Sequence, residues 1–388
     1  MKTLKQLIDR YCPNGVEYVQ LGDVVTIKNG SDWKRQEPGD IAVYGSGGKM
    51  LPTVKTPASS EPSVLLPRKG TLEVQFVDVP FWNIDTAFRT ETNPSRLSMK
   101  YFYYSMKGFD FSEISTSATR PSLTQTALKR LKLPLPPREI QDKIVEHLDT
   151  FAALCENLDL EISQREKQFA EYREKMLSAD YLTSRYCSEG VDYVRLGDVA
   201  TVRNGWGFPT NFQGGRVGVP FFKVADMNRP ENKVRMNLSS NYVDRSTLNL
   251  IKARTSPAGT LIFPKIGAAV ATNKKRLLVE ESSYDNNVAG VIPGDSLNPS
   301  FLFYYFLGFD LSSIALQSGA TPSIRKSSIE NVTVPLPSRE VQNEITAKLD
   351  ELQELIDNLR LEREQRQQQF DYYREKLLSF PKKEANEV

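Results

Sequence analysis

The stretch Leu21-Gly22-Asp23-Val24 decides the fold, because it recurs 175 residues later as Leu196-Gly197-Asp198-Val199. Its flanks repeat at the same offset: Arg10-Tyr11-Cys12 and Lys28-Asn29-Gly30 correspond to Arg185-Tyr186-Cys187 and Arg203-Asn204-Gly205. Self-similarity at a fixed offset indicates a duplicated structural unit. The Asn-Gly pair that ends each copy is typical of a turn after a short strand. The chain is therefore an internal tandem duplication.

The two copies are unequal in their middles. Leu135-Pro136-Pro137-Arg138-Glu139 matches Leu336-Pro337-Ser338-Arg339-Glu340 at an offset of 201, so the second copy holds about 26 extra residues between its repeated ends. Residues 31–90 and 206–291 are the divergent parts. We expect the two copies to share the same supporting structure, and the side chains of these middles to differ.

The repeat is also circular. Tyr172 to Ser178 runs within ten residues into Arg185-Tyr186-Cys187, whereas the copy of this segment, Tyr373 to Ser379, lies at the end of the chain. Arg10-Tyr11-Cys12 is its natural continuation. We therefore predict that the two chain ends lie close together, as they often do in folded domains.

A long amphipathic helix follows each globular part, directly after a proline-rich stop. Apolar residues alternate at spacings of three and four, which is typical of a coiled-coil seam. The predicted seam residues are Ile144, Leu148, Phe151, Leu158, Phe169, Ile345, Leu349, Leu352, Leu359 and Phe370. Arg165, Arg363 and Arg366 interrupt this seam. Antiparallel pairing of the two helices about a pseudo-twofold axis is the simplest packing; the alternative is that each helix lies on its own domain.

Composition excludes several chemistries. The three cysteines, Cys12, Cys155 and Cys187, show no metal-ligand spacing, and His147 is the one histidine of the chain. Most catalytic triads and histidine metal sites are therefore excluded. The glycine-rich turn ending at Lys49 is followed by methionine instead of serine or threonine, so it is no phosphate loop. With no signal peptide and no apolar membrane span, we expect a cytoplasmic protein.

Charge is distributed unevenly along the chain. Residues 138–178 carry a net charge of −4 and residues 339–379 a net charge of −3, whereas the whole chain carries +2, so the globular parts carry +9. Lysine and arginine cluster with glycine, asparagine and serine in predicted loops. Basic units on an acidic spacer favour the binding of a polyanion at two places.

At this point the sequence resembles the specificity (S, HsdS) subunits of Type I restriction-modification systems. The resemblance covers essentially the whole chain. It depends on the order domain–helix–domain–helix, on the repeated Leu-Gly-Asp-Val and Asn-Gly motifs, and on the Pro-Leu-Pro-x-Arg-Glu-x-Gln motif that opens each helix. The loops Ser117 to Leu123 and Ser318 to Ile324 add to it.

The resemblance implies an α+β protein with two mixed α/β target-recognition domains, joined by two long helices that form an antiparallel intramolecular coiled coil, pseudo-twofold and circularly arranged. The expected segments are residues 1–137 and 181–337 for the recognition domains, 138–180 and 338–380 for the helices, and 381–388 for a tail. Each domain would read one half of a bipartite, asymmetric site on double-stranded DNA. The helices would set the gap and dock two modification (M) subunits.

The resemblance also implies a non-catalytic subunit that binds no cofactor itself. S-adenosylmethionine, ATP and Mg²⁺ are expected on partner subunits, and restriction (R) subunits would join through the M subunits; no membrane is involved. Two alternatives stay open: a coiled-coil adaptor without DNA affinity, and the specificity part of a related methyltransferase without restriction. A self-contained nuclease or methyltransferase would need a metal cluster or a cofactor loop.

The residues predicted to contact DNA have basic, amide or hydroxyl side chains, which can reach phosphates and base edges. In the first copy they are Lys34, Arg35, Ser46, Lys49, Arg68, Lys69, Arg89 and Arg120. In the second they are Lys223, Lys265, Lys274, Lys275, Arg276, Asn286, Asn287, Arg325 and Lys326.

Overall fold

A computed structural model of the chain describes residues 4–116, 121–187, 189–316 and 321–383. The chain forms two compact units. Unit 1 combines Met1–Leu160 with Arg360–Val388, and unit 2 is Glu161–Leu359. Each unit therefore contains one globular part together with a portion of each long helix.

Unit 1 is a mixed helix and sheet structure. Its elements in chain order are α1 (Leu4–Tyr11), β1 (Glu17–Gln20), α2 (Leu21–Val24), β2 (Val25–Asn29), β3 (Ile41–Gly45), β4 (Gly48–Val54), β5 (Ser63–Pro67), β6 (Gln75–Val77), β7 (Phe81–Asn83), β8 (Ala87–Thr92), α3 (Met99–Lys107), a 3₁₀ turn (Phe111–Ile114), α4 (Gln125–Lys129) and β9 (Lys132–Leu135). One sheet has the order β2-β8-β5-β6, a second the order β4-β3-β7, and β1 pairs with β9. Strand β3 runs parallel to β7.

Unit 2 repeats this plan. Its elements are α6 (Ala179–Arg185), β10 (Tyr193–Arg195), α7 (Leu196–Val199), β11 (Ala200–Asn204), β12 (Val219–Phe222), β13 (Arg235–Met236), β14 (Tyr242–Val243), α8 (Arg245–Leu250), β15 (Leu261–Pro264), β16 (Arg276–Leu278), β17 (Ser283–Tyr284), β18 (Val288–Pro293), α9 (Pro299–Gly308), α10 (Lys326–Glu330) and β19 (Thr333–Pro335). Its 3₁₀ turns are Thr210–Phe212, Val224–Asn228, Pro230–Asn232, Gly267–Thr272 and Leu311–Ile314. The sheets have the orders β11-β18-β15-β16-β13 and β14-β12-β17, and β10 pairs with β19.

Strand register makes the two units comparable residue by residue. Asn29 lies opposite Phe88 in unit 1, and Asn204 lies opposite Ala289 in unit 2. On the neighbouring strand pair, Leu65 faces Arg89 just as Ile262 faces Gly290. Most of the extra residues of unit 2 fall between β12 and β15, where β13, β14 and α8 replace the simple strand β4. The predicted shared frame with unequal middles is therefore present.

Two long helices, α5 (Arg138–Met176) and α11 (Arg339–Leu378), start directly after the proline-rich segments. At 1.5 Å per residue, each is about 60 Å long. Within unit 1 they run antiparallel, since Phe151 stacks on Tyr373 with 5.1 Å between ring centroids and Asp159 pairs with Arg363. The mixed fold with paired long helices confirms the predicted fold class.

The predicted seam residues have two packing roles. Ile144, Leu148 and Phe370 are buried in the core of unit 1, and Phe169, Ile345 and Leu349 are buried in the core of unit 2. Phe151, Leu158, Leu352 and Leu359 are half-buried. The apolar stripe thus also packs each helix on both globular parts: Ile144 and Leu148 of α5 lie in the core of unit 1, whereas Phe169 of the same helix lies 5.9 Å from Tyr304 of unit 2, measured between ring centroids.

One buried glutamine fixes the start of each long helix. Gln141 accepts a hydrogen bond from the Ser98 amide at 2.8 Å and donates to the carbonyls of Arg96 and Pro136 at 2.8 and 2.9 Å. Gln342 makes the same set of bonds with Asn298, Ser296 and Pro337. This glutamine is the last residue of the repeated Pro-Leu-Pro-x-Arg-Glu-x-Gln motif, so the motif is a joint between helix and domain.

The two ends of the described chain meet within unit 1. The Val16 amide donates to the Pro381 carbonyl and the Lys383 amide donates to the Val16 carbonyl, both at 2.9 Å. The Tyr18 hydroxyl donates to the Phe380 carbonyl at 2.7 Å. These bonds confirm the predicted circular arrangement for the described residues. Among those residues, no helix is both long and apolar enough to cross a membrane.

Candidate nucleic-acid interface

Three loops of unit 1 meet at one edge of the sheets. The Leu123 amide donates to the Arg68 carbonyl at 2.8 Å, the Gly70 amide to the Pro121 carbonyl at 3.1 Å, and the Arg68 amide to the Thr86 carbonyl at 2.9 Å. These bonds hold residues 68–70, 84–86 and 121–123 together. We call this arrangement the loop junction.

Unit 2 builds the loop junction with the same bonds. The Ile324 amide donates to the Lys265 carbonyl, the Gly267 amide to the Pro322 carbonyl, and the Lys265 amide to the Asn287 carbonyl, each at 2.8 Å. Gly70 and Gly267 both have positive φ, +86° and +77°, a backbone conformation that glycine adopts without a steric penalty. The junction of unit 2 thus contains residues 265–267, 285–287 and 322–324.

The side chains at matched junction positions differ. Arg68 corresponds to Lys265, Lys69 to Ile266, Asp85 to Asn286 and Thr86 to Asn287. Asp85 pairs with Lys69, with 3.7 Å between the carboxylate oxygen and Nζ, and both side chains are about half exposed. Asn286 is exposed. Acidic and amide side chains accept and donate different hydrogen bonds, so the two junctions present different chemistry on the same backbone.

The predicted contact residues of unit 1 divide into three groups. Lys34, Arg35, Lys49 and Lys69 are exposed. Arg68 and Arg89 are half-buried: Arg68 donates to the Asp85 carbonyl and lies over the Phe88 ring, and Arg89 donates to the Asn29 carbonyl. Ser46 is only 9% exposed, and its backbone amide donates to Thr86 Oγ1 at 3.1 Å. Ser46 therefore stabilises a residue of the junction instead of being exposed on it. Arg120 lies outside the described residues.

In unit 2, several predicted residues lie on or beside the junction. Lys265 is part of it, and burial lowers the pKa of its ammonium group. Asn286 is exposed. Asn287 is half-buried, and its backbone amide donates to Asp285 Oδ1 at 3.0 Å. Arg325 and Lys326 are exposed directly after Ile324. Lys223 is half-buried and donates to Gln213 Oε1 at 3.1 Å.

One prediction in the run 274–276 requires correction. Lys275 is 1% exposed, and its ammonium donates to Asn273 Oδ1 and to the Phe309 carbonyl. Burial lowers the pKa of Lys275 to about 8; Asp310 opposes this shift and Arg173 adds to it. Arg276 is half-buried and donates to the carbonyls of Lys275 and Met227. The Lys275 ammonium is enclosed by unit 2, so the prediction of Lys275 as a DNA contact was wrong. Arg276 is only half-buried and stays a prediction. Lys274 is half-buried and donates to Asn228.

Sequence reasoning missed Asp85. The signal was available, because Asp85 and Thr86 precede Asn286 and Asn287 by the same offset of 201 that relates Arg138 to Arg339. An acidic side chain is not the type that the expected binding of a polyanion favours. Within the described part of the chain, no group of three or more His, Cys, Asp or Glu side chains could hold a metal ion.

Comparison with known proteins gives one consistent result. Residues 13–165 and 188–368 match the family model of the Type I restriction modification DNA specificity domain. The chain is 24% identical to a putative type I restriction enzyme specificity subunit of Haemophilus influenzae, over 94% of this chain and 96% of that protein. It is 24% identical to a type I restriction enzyme specificity subunit of Escherichia coli, over 84% and 82% respectively.

Solved structures agree on the fold. The S subunit of a Type I restriction-modification system from M. genitalium aligns with a TM-score of 0.61 at 16% identity, covering 94% of this chain and 96% of that one. A chain from a structural study of complex assembly and conformational transition of the type I system aligns with a TM-score of 0.55 at 16% identity, covering 94% and 98%. At these identities the likeness concerns the fold alone.

Proposed function

The chain belongs to the Type I restriction modification DNA specificity family, and on this premise we propose that its two units read two different parts of one bipartite, asymmetric DNA site. Its role is DNA sequence specificity, and the chain is a recognition subunit rather than an enzyme. The segments 1–137 and 181–337 are proposed as the recognition domains, 138–180 and 338–380 as the connecting helices, and 381–388 as a tail.

The observation that carries the proposal is the duplicated loop junction. Three matched backbone hydrogen bonds hold the same loops in both units, while the side chains at the matched positions differ. Direct readout of base pairs depends on the donors and acceptors that side chains present in a groove. The same backbone hydrogen bonds with different side chains support two recognition units that share one loop structure and recognise different bases.

Exposed basic residues beside the junctions support DNA as the ligand. Lys69 in unit 1 and Arg325 and Lys326 in unit 2 lie in or next to junction loops and are exposed; Lys49, three residues after Ser46, is exposed as well. Cations of this kind pair with phosphates and fix the register of a protein on the duplex without reading sequence. We therefore assign positioning to these residues and base readout to positions such as Asp85 and Asn286.

The long helices are proposed to set the gap between the two half-sites and to dock two M subunits, through which R subunits join. Since we assign no catalytic step to this chain, S-adenosylmethionine, ATP and Mg²⁺ would be used by those partners. A helix of about 60 Å is a rigid spacer on the scale of roughly two turns of duplex, whose turns are about 34 Å apart.

Methylation mapping tests the proposal in the host. The assembled system should methylate adenine within a two-part motif that has an unspecified gap, and removal of this chain should abolish methylation at that motif. Binding of the complex of this chain with its M subunits to a duplex containing the motif should exceed binding to a scrambled duplex by at least a thousandfold. Equal affinity for both duplexes would favour the adaptor alternative instead.

A further inference from the structure

A cavity of about 320 Å³ in unit 2 is lined by the guanidinium-bearing side chain of Arg173. Glu174, Leu177, Tyr304, Tyr305, Gly308 and Phe309 form the rest of its wall. The wall therefore combines three aromatic rings with one cation, Arg173, and one carboxylate, Glu174. Neither the predicted DNA contacts nor the loop junction includes this cavity.

Arg173 is half-buried, and its guanidinium makes no hydrogen bond or ion pair with the described residues of unit 2. Burial lowers the pKa of Arg173. The negative charge of the neighbouring Glu174 opposes this shift, but its effect is smaller than that of burial. Lys275, which is 1% exposed, lies near enough for the two cations to repel each other. Two cations are thus kept together in a partly dehydrated place, where opposite charge is worth more than it is in water.

Unit 1 contains the same geometry with its own counterion. Arg374 corresponds to Arg173, since each lies against a matched glycine, Gly108 or Gly308. Each also follows a phenylalanine that meets a tyrosine edge-on, Phe370 with Tyr104 at 6.0 Å and Phe169 with Tyr304 at 5.9 Å. Arg374, however, pairs with Asp371 at 2.9 Å. The residue of unit 2 that corresponds to Asp371 is Ala170.

Two further matched positions differ around the cavity. In unit 1, Lys107 lies 5.7 Å from the centre of the Phe370 ring, whereas unit 2 has Leu307 there. The strand register places Val74 of unit 1 at the position of Lys275. Glu174 and Asp310 have acidic counterparts, Glu375 and Asp110, so they do not cause the difference. Unit 2 thus has one acid fewer than unit 1 at these matched positions, and its second cation, Lys275, is buried; the Arg173 guanidinium lines a cavity without a paired carboxylate.

We propose that this cavity is an oxyanion-binding site, in which Arg173 receives a carboxylate or phosphate group from another molecule in place of the aspartate that unit 1 supplies for Arg374. A guanidinium binds such groups through paired, charge-assisted hydrogen bonds. The Tyr305 and Phe309 rings exclude water on the sides of the site, and Lys275 adds positive charge behind it. This proposal does not depend on how the loop junctions read DNA.

Arginine modification by phenylglyoxal, followed by peptide mass spectrometry of the full-length chain, tests the proposal. Without added anion, Arg173 should react at least tenfold faster than Arg374, which serves as the paired reference in the same molecule. Inorganic phosphate or acetate should slow the reaction of Arg173 in a saturable way, compared with chloride at equal ionic strength. Arg374 should be unaffected by either anion.

Ala170→Asp supplies the missing internal carboxylate and is the decisive variant. It should reduce the rate at Arg173 to that of Arg374 and remove the protection by phosphate. Ala170→Asn, of the same shape without charge, should behave as wild type. Asp371→Ala should make Arg374 react faster. Because Ala170 is exposed, neither substitution at that position should disturb folding.

The same measurement identifies the source of the oxyanion in the assembled complex. Protection of Arg173 on addition of the M subunit alone indicates an acidic side chain of that protein, and protection only with DNA indicates a backbone phosphate. Protection only by the free anions indicates a small-molecule ligand. An Arg173 that is as unreactive as Arg374 in the free chain, or that no addition protects, overturns the proposal. Methylation of the two-part motif is measured separately, so that failure of one proposal leaves the other standing.

Discussion

Asp159 and Arg363 join the two long helices across 204 residues of sequence: both carboxylate oxygens of Asp159 accept from the guanidinium of Arg363, at 3.0 and 3.1 Å. Arg363 is one of the charged residues that interrupt the predicted seam. Such a bond can form only in one register of the helices. Arg363, although it interrupts the apolar seam, therefore helps to set the register in which the two long helices pair.

We expect this pair to contribute modestly, because both side chains are between one third and just over one half exposed. A double-mutant cycle of Asp159→Ala and Arg363→Ala should give a coupling of about 0.5–1 kcal/mol, reduced by 1 M salt. Thermal unfolding of the four variants measures it. The Glu161 and Arg165 pair on one helix is the control and should couple less strongly, by about 0.3–0.5 kcal/mol.

Asp85→Asn should change the recognised sequence in one half of the DNA site only. A carboxylate accepts from the amino group of cytosine, whereas an amide pairs with adenine, and each such contact discriminates by about 1–3 kcal/mol. Mapping of methylated adenines would reveal the changed half-site. Asn286→Asp should alter the other half, and Asp40→Asn, an exposed position outside the junction, should alter neither. Changes in both halves from one substitution would contradict independent reading.

Arg325→Ala should weaken DNA binding for specific and unspecific sequences alike. Arg325 is exposed and directly follows the junction residue Ile324, so we assign it to a phosphate. The slope of log affinity against log salt concentration is negative, and loss of one phosphate contact makes it less steep by about 1. Titrations of the assembled complex between 50 and 200 mM salt, roughly the range over which such slopes are resolved, provide the measurement. Lys275→Met should leave the slope unchanged, since that ammonium group faces inward.

Lys275 should make stability depend on pH. Burial lowers its pKa to about 8 from the usual 10.5 of a lysine. The unfolded chain therefore binds the proton more tightly, and the folded state is penalised fully below pH 8 and progressively less up to about pH 10.5. Between pH 7 and pH 9, the free energy of unfolding of the wild type should rise by about 1 kcal/mol relative to that of Lys275→Met. A pH-independent difference between the two proteins would contradict this.

Gln141→Leu should loosen the joint between α5 and unit 1. Leucine leaves the Ser98 amide and the carbonyls of Arg96 and Pro136 buried without partners, at a cost of about 1–3 kcal/mol for each group that water cannot reach. Hydrogen exchange of the Ser98 amide should accelerate at least thirtyfold. Gln164→Leu, an exposed position on the same helix, is the matched control and should leave that amide protected. The same contrast is expected for Gln342→Leu at the Asn298 amide.

The periodic and repeated parts of the fold were predictable from sequence. Proline before Arg138 and Arg339 ends the preceding strand and favours a helix start, and the three-and-four spacing continues for about forty residues. The close approach of Val16 to Pro381 followed from the circular repeat alone. These features depend on local pattern or on comparison of the chain with itself, which sequence contains.

The orientation of individual loop side chains was not predictable. Lys275 lies in the run Asn273-Lys274-Lys275-Arg276, which has the composition of an exposed basic loop, yet its partner is the carbonyl of Phe309, distant in sequence. The missing counterion of Arg173 likewise became visible only after the structure placed Arg173 and Arg374 against matched glycines. Burial of a single cation depends on tertiary contacts that composition does not report.

The meeting of Val16 with Pro381 and Lys383 also determines the order in which a newly made chain can finish folding. Unit 2 is one continuous segment, complete once residue 359 has left the ribosome, whereas unit 1 begins first and must wait for residues 360–383. The first recognition unit is therefore the last to be completed. A chain that stops after residue 359 keeps all of unit 2, while unit 1 lacks the Phe370 and Phe380 side chains of its core. Truncated products of synthesis would thus retain only one of the two readers, and could not select a two-part target.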